Sequence, residues 1–144
     1  MTGGRAQALS VRSTEPVRAH DQGFVASDPG TVYGVLAEVG AYPAWWPGVN
    51  VTSEGPDLLL RLSGWPAVPV RPEAHRPGVG LFLRLGEPLD GTLEWYLEPF
   101  QEGTIVNAIL SVSLRGGSGR ASRRLRRLRR AIRAGLVALR GRVG

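Results

Sequence analysis

The C-terminal end of the chain carries the clearest hydrophobic pattern. From Arg120 to about Arg140 and on to Val143, Leu125, Leu128, Ile132, Gly135, Leu136, Leu139 and Val143 recur at three- and four-residue spacing. On a helix they fall within an arc of about 100°, and arginines fill most of the remaining surface. The pattern predicts a long amphipathic helix with one face buried. Between Val49 and Leu114 the helical period gives way to short alternating runs bounded by Gly, Pro, Asp and Ser, as in an antiparallel meander. Strands are predicted near Val49–Ser53, Leu58–Gly64, Val68–Ala74, Gly80–Gly86, Leu93–Glu98 and Thr104–Leu114. Pro69 and Pro72 make the third of these an edge or bulged strand. Asp90-Gly91 and Glu102-Gly103 mark turns.

Val17 to Ala26 reads as a first strand whose alternation Asp21 and Gly23 interrupt. A helix start follows: Asp28 is placed to cap the free N–H groups, and Pro29 suits the first helical position. Val32, Val35, Leu36 and Val39 form one apolar face, and Gly40 is a natural stop. Ala41 to Gly48 is a short aromatic segment between prolines with room for a helical turn or two. Gly116-Gly117-Ser118-Gly119 reads as a hinge; the spacing and the Lys of a phosphate-binding loop are missing. The order is strand, two helices, six strands, long helix, which makes the fold class α+β.

Length and composition narrow the picture. The chain has 144 residues, the size of one domain. Residues 17–142 are expected to form it, with 1–16 as a flexible leader. No apolar run approaches the roughly 20 residues of a membrane span. Met1 to Pro16 has no apolar core of a signal peptide, so a cytoplasmic protein is the simplest reading and the Asn50-Val51-Thr52 sequon is taken as chance. There is no cysteine and there are only two histidines, His20 and His75. Disulfides, thiolate sites and a Cys nucleophile are thereby excluded, and no metal or cofactor is expected. All 18 basic residues are Arg, a composition suggestive of a GC-rich bacterial genome. Their distribution is uneven: residues 1–115 hold 8 Arg and all 12 acids, and residues 116–144 hold 10 Arg and no acid.

Several segments resemble the START-like (SRPBCC, polyketide cyclase/dehydrase-type) superfamily. The stretch Phe24-Val25-Ala26-Ser27-Asp28-Pro29-Gly30-Thr31-Val32-Tyr33-Gly34-Val35-Leu36 is similar to its strand-to-helix junction. Tyr42-Pro43-Ala44-Trp45-Trp46-Pro47-Gly48-Val49 is similar to its Trp-x-Pro turn, and Gly103-Thr104 to the Gly-Thr pair that opens its last strand. The similarity runs from about Val17 to Arg142. It implies the helix-grip fold: a seven-stranded curved antiparallel sheet wrapped around the C-terminal helix, two short helices between strands 1 and 2, and a ligand cavity between sheet and helix. It does not imply one activity, because the superfamily includes aromatase/cyclases, lipid and sterol carriers and quinone-binding proteins. No catalytic motif matches residue by residue.

Strand parity indicates what would face the helix. Leu58, Leu60 and Leu62 share a face, as do Leu81, Leu83 and Leu85. The same holds for Leu93, Trp95 and Leu97, and for Val106, Ala108, Leu110, Val112 and Leu114. Burying a Leu stabilises by about 1.5–3 kcal/mol, so these sets are expected inside. The expected ligand-lining residues are Leu83, Trp95, Leu97, Ala108 and Leu110 from the sheet and Leu128, Ile132 and Leu136 from the helix. Trp46 and Trp65 join them from the loops. Such a face carries almost no polar group for acid–base work. The exceptions are Asp21 and His20 on the irregular first strand, or Arg61, Arg84, Tyr96 and Asn107 if a bulge turned them inward. Trp45 and Trp46 either line a cavity mouth or pack the short helices. Trp65 is a lid or a loop anchor, and His75 reads as a solvated edge residue.

Three functions follow. The first is binding or carriage of a small hydrophobic ligand: a lipid, a quinone or a polyketide-like aromatic. The second is an aromatase/cyclase, which needs polar groups inside. The third uses the Arg-rich helix on an anionic membrane surface or acidic partner. Nucleic acid is disfavoured, because no aromatic is interleaved with the charge. A catalytic role is not favoured.

Overall fold

The structure is a computed structural model. It describes residues 14–115 and 119–143, without the side chains of His75 and Arg115. Residues 1–13 of the expected leader, residues 116–118 of the expected hinge and the expected solvated side chain of His75 lie outside the described residues. The elements are β1 (Thr14–Val25), α1 (Pro29–Ala37), a 3-10 helix (Val39–Ala44), β2 (Asn50–Glu54), β3 (Asp57–Arg61), β4 (Val68–Arg76), β5 (Gly80–Leu85), β6 (Gly91–Phe100), β7 (Gly103–Arg115) and α2 (Arg120–Val143). The seven strands form one curved sheet in the order β1-β7-β6-β5-β4-β3-β2, antiparallel throughout. The order of elements is the one the hydrophobic pattern predicts.

Two local expectations need correction. β1 begins at Thr14 rather than Val17, and it pairs with β7 in unbroken register from Thr14↔Arg115 to Val25↔Thr104. Asp21 and Gly23 therefore do not interrupt it. Gly23 lies beneath α2, where an added Cβ would sit 3.4 Å from Leu136 Cβ. The first helix ends at Ala37, and the chain continues as the 3-10 helix past Gly40. β4 is interior where Val68–Val70 pair with β3 and edge-like from Arg71 onward, where pairing is described only to β5. Its register shifts between Ala74 and Arg76, so the strand is both partly an edge and irregular, as its prolines predict.

The elements hold together for local reasons. Asp28 caps α1 by accepting from the Thr31 N–H at 3.1 Å and the Thr31 hydroxyl at 2.7 Å. The inner face of the sheet is covered jointly. α2 packs over β1 and β7, α1 over β5, β6 and β7, and the 3-10 helix against β2. The buried residues of α2 include Leu128, Ile132, Gly135, Leu136 and Leu139, the middle of the predicted stripe.

Gly135 sets how closely α2 approaches. A Cβ there would lie 2.5 Å from Trp46 Cε2, closer than carbon atoms can pack. Gly141, on the same helix, has open space around it. Replacing an interior helical Gly by Ala ordinarily stabilises by about 0.5–1 kcal/mol. Gly141→Ala is expected to follow that rule, whereas Gly135→Ala is expected to lower stability by about 1–3 kcal/mol through overpacking. Urea denaturation of the two variants checks the opposite signs.

Candidate functional site

The parity argument survives in three dimensions. Leu60 and Leu62, then Leu81, Leu83 and Leu85, are buried, as are Leu93, Trp95 and Leu97 and the run Val106, Ala108, Leu110, Val112 and Leu114. Leu58 is half-buried. All ten residues expected to line a ligand cavity come together in one apolar core: Trp46 and Trp65; Leu83, Trp95, Leu97, Ala108 and Leu110; and Leu128, Ile132 and Leu136.

An aromatic cluster occupies the space between them. Trp46 lies edge-on to Trp95, with centroids 5.9 Å apart. It stacks on Trp45 at 5.6 Å and contacts Tyr42 at 5.6 Å. The Trp46 indole N–H donates to the Ala131 carbonyl at 2.9 Å. Gly135 is the helical partner of that carbonyl, and with no side chain it leaves the carbonyl open to a second donor. Trp95 Nε1–H donates to the Tyr42 hydroxyl at 3.1 Å, and the Tyr42 hydroxyl donates to the Leu36 carbonyl at 2.6 Å. Burial raises the Tyr42 pKa far above its ordinary value, so the group stays protonated and bridges two elements.

The remaining polar groups fall on known sides. His20 and Asp21 are neighbours in sequence and lie on opposite faces, so they form no acid–base pair. Asp21 faces α2 and is buried. It accepts from Arg129 Nη2 and Arg133 Nε at 2.9 Å each, and from Arg129 Nε at 3.2 Å. Burial pushes its carboxyl up, and the hydrogen bonds and charges of Arg129 and Arg133 outweigh that, leaving it below the usual carboxylate range. His20 lies outside, 2.7 Å from Asn107 Oδ1, which also accepts from Gln22 Nε2 at 2.7 Å. Asn107 Nδ2 donates to the Tyr96 carbonyl and to Glu98. Arg84 forms an exposed ion pair with Glu73 at 2.8 Å, and Arg61 and Tyr96 are exposed. No bulge brings any of these four inward. Asn107 is buried, but under its outer-face neighbours.

The two flanks of α2 differ. Toward β1, Arg129 and Arg133 are tied to Asp21. On the other flank a groove of about 480 Å³ runs between the helix and two loops, lined by Pro47, Gly48, Ser63, Gly64, Arg127, Arg130, Ala131 and Ala134. Gly48 (φ +77) and Gly64 (φ +79) let these loops turn tightly. A Cβ on Gly48 would meet Ser63 Cβ at 2.9 Å, and one on Gly64 would meet Arg127 Cδ at 3.4 Å. The indole N–H groups of Trp45 and Trp65, in the segments that flank the groove, are buried with no hydrogen-bond partner among the described residues.

No protein-family model and no curated protein matches the sequence. Solved structures do match. The di-domain ARO/CYC StfQ from the steffimycin biosynthetic pathway superposes with a TM-score of 0.70 at 18% identity, over 95% of this chain and 52% of that one. The chain thus spans about half of that protein. A START superfamily protein from Mycobacterium smegmatis gives 0.69 at 16% identity over 89% and 96% of the two chains. The Aha1 dimer from Colwellia psychrerythraea gives 0.64 at 14% over 88% and 96%. The chain has the START-like helix-grip fold. At these identities the likeness extends to the fold. Within this fold the Gly103-Thr104 pair has a physical account. Gly103 leaves room for the Phe24 ring and the Val25 carbonyl, where a side chain would collide, and the Thr104 hydroxyl donates to the Ser27 carbonyl at 2.7 Å. Among the described residues no helix is long and apolar enough to cross a membrane.

Sequence reasoning missed Tyr42, the contact of Gly135 with Trp46, the role of Asp21, and Arg127 and Arg130 as the groove's cations. A signal was present for the second. Ala131, Ala134, Gly135 and Ala138 form a small-residue patch on α2, which marks close approach.

Asp21 generates a pH-dependent expectation. A carboxyl whose folded pKa lies below its unfolded value contributes stability fully present above the unfolded value, and lost as pH falls through the folded one. Asp21→Asn should lower stability by about 1–2 kcal/mol at about pH 7. That is the usual worth of charge-assisted hydrogen bonds, reduced because the Arg129 and Arg133 side chains are 33% and 59% exposed and screened by solvent. Denaturation below about pH 4 should show the gap to wild type closing.

Proposed function

We propose that the chain binds a small hydrophobic ligand, of lipid, quinone or polyketide-like aromatic type, between α2 and the sheet. On this reading the groove beside Trp46 is its mouth. The observation that carries the reading is a groove whose wall residue Ala131 also holds Trp46, built from the chain segments in which the buried indole N–H groups of Trp45 and Trp65 have no hydrogen-bond partner among the described residues. An unpartnered buried donor costs about 1–3 kcal/mol, and a ligand carbonyl or hydroxyl would offset it. The groove's volume falls in the ordinary range for small-molecule sites. The START-like fold and the largely apolar inner faces of β5, β6 and β7 are consistent with the same reading. A ligand reaching deeper must displace Trp46, because the interior is packed.

Binding is favoured over catalysis by what the polar groups already do. Tyr42 is engaged on both sides of its hydroxyl, Asp21 is held by two arginines, and an indole N–H transfers no proton at ordinary pH. An aromatase/cyclase reaction needs a titratable group aimed at the substrate.

Native mass spectrometry tests the proposal on protein incubated with lipid and aromatic extracts. A retained adduct of defined mass is expected. Trp46→Phe, which keeps an apolar ring and removes the bond to Ala131, should raise its occupancy. A clean unliganded mass in both proteins would overturn the reading.

A further inference from the structure

The arginines of α2 divide by flank. Arg129 and Arg133 face Asp21 and make the ion pairs described for this helix. Arg127 and Arg130 are exposed and line the groove on the opposite flank, where no acid is among the lining residues. The Arg127 Cδ lies over Gly64, 3.4 Å from where a Cβ would stand. Its stem therefore rests on the loop, with its head at the groove. The rest of the lining is Ser63, Gly48 and Gly64, and an apolar wall of Pro47, Ala131 and Ala134. Two guanidinium groups above an apolar wall match a molecule with an anionic end and an apolar body.

We propose that this groove is the head-group site for a single-chain anionic amphiphile. Arg127 and Arg130 take its carboxylate or phosphate, and the first part of its chain lies along Ala131 and Ala134 toward Trp46. The inference rests on the hydrophobic-ligand reading and narrows it to acidic ligands. A carboxylate and a phosphate monoester offer the same planar or tetrahedral set of acceptors to a guanidinium fork, so both belong to the class. The remaining polar residues of α2 are arginines and Ser122, which gives the helix net attraction for anions without base-reading amides or stacking rings.

The test uses the full chain with oleate, oleyl phosphate and oleyl alcohol below their aggregation concentrations, compared by competition in native mass spectrometry. The two acids are expected to bind on the order of tenfold tighter than the alcohol, the increment of one or two charge-assisted hydrogen bonds. In the double variant Arg127→Gln/Arg130→Gln this preference should fall to about twofold or less, with affinity for the alcohol unchanged. Arg123→Gln/Arg126→Gln, which removes equal charge from outside the groove lining, should keep the preference. All four positions are exposed, and thermal unfolding confirms that both variants fold. Equal binding of acids and alcohol by wild type would overturn the head-group site and leave the hydrophobic-ligand reading standing. An equal loss of preference in both double variants would overturn it too, in favour of diffuse surface charge. Failure of all three ligands to bind would overturn the head-group site, and the extract experiment then decides the hydrophobic-ligand reading. Co-sedimentation with phosphatidylcholine vesicles with and without phosphatidylglycerol separates the remaining source. Capture by anionic vesicles without binding of the free acids would replace the groove with a lipid-surface contact.

Discussion

The structure depends on the contact between one indole and one helix. Trp46 reaches the Ala131 carbonyl because Gly135 presents no side chain, and that contact places the helix against the aromatic cluster. From it the rest follows in chain order. Trp46, just past the 3-10 helix, meets Trp95 of β6. Trp95 donates to Tyr42, and Tyr42 donates to the end of α1. Three elements that share no backbone hydrogen bonds with the sheet are thus joined by three side-chain hydrogen bonds in an otherwise apolar interior. Each donor is buried, so losing its acceptor would cost more than the bond contributes. The cluster therefore specifies a geometry as well as filling space.

Much of the architecture was legible in the sequence because two periodicities are unambiguous. The stripe from Leu128 to Leu139 repeats only as a helix, and runs such as Leu81-Phe82-Leu83-Arg84-Leu85 alternate only as a strand. Parity alone places Arg61, Arg84 and Tyr96 outside. What failed was local and had a common cause. Asp21 and Gly23 look like breaks in a strand when only the strand is considered. They fit once α2 lies across them, one as counter-charge and the other as clearance. Pro69 and Pro72 indicated an edge, and β4 is an edge over part of its length, which no single-strand reading can express.

The candidate site was legible by residue type and not by arrangement. The ten apolar side chains expected around a cavity do gather in one place, but periodicity says only which way a side chain faces. Whether facing side chains meet or stand apart depends on the distance between layers, and here one glycine decides it. The division of the arginines was likewise hidden. Along the sequence they form one basic run, and their two roles separate only when Asp21 from the opposite end of the chain and two glycine turns from the middle are brought beside them.

The pairing of the first strand with the last strand and the last helix has a consequence for how the chain comes to be. β1 finds its neighbour β7 only after some ninety further residues, and Asp21 finds Arg129 and Arg133 later still. On the ribosome, the part of the sheet's inner face that α2 covers, over β1 and β7, stays bare until Arg120–Val143 has emerged. For that interval the chain is a sticky half-product, and it must complete rather than fold as it goes. That helix is also the chain's most arginine-rich segment, so the element that shields β1 and β7 follows the sheet and brings its own solubility with it.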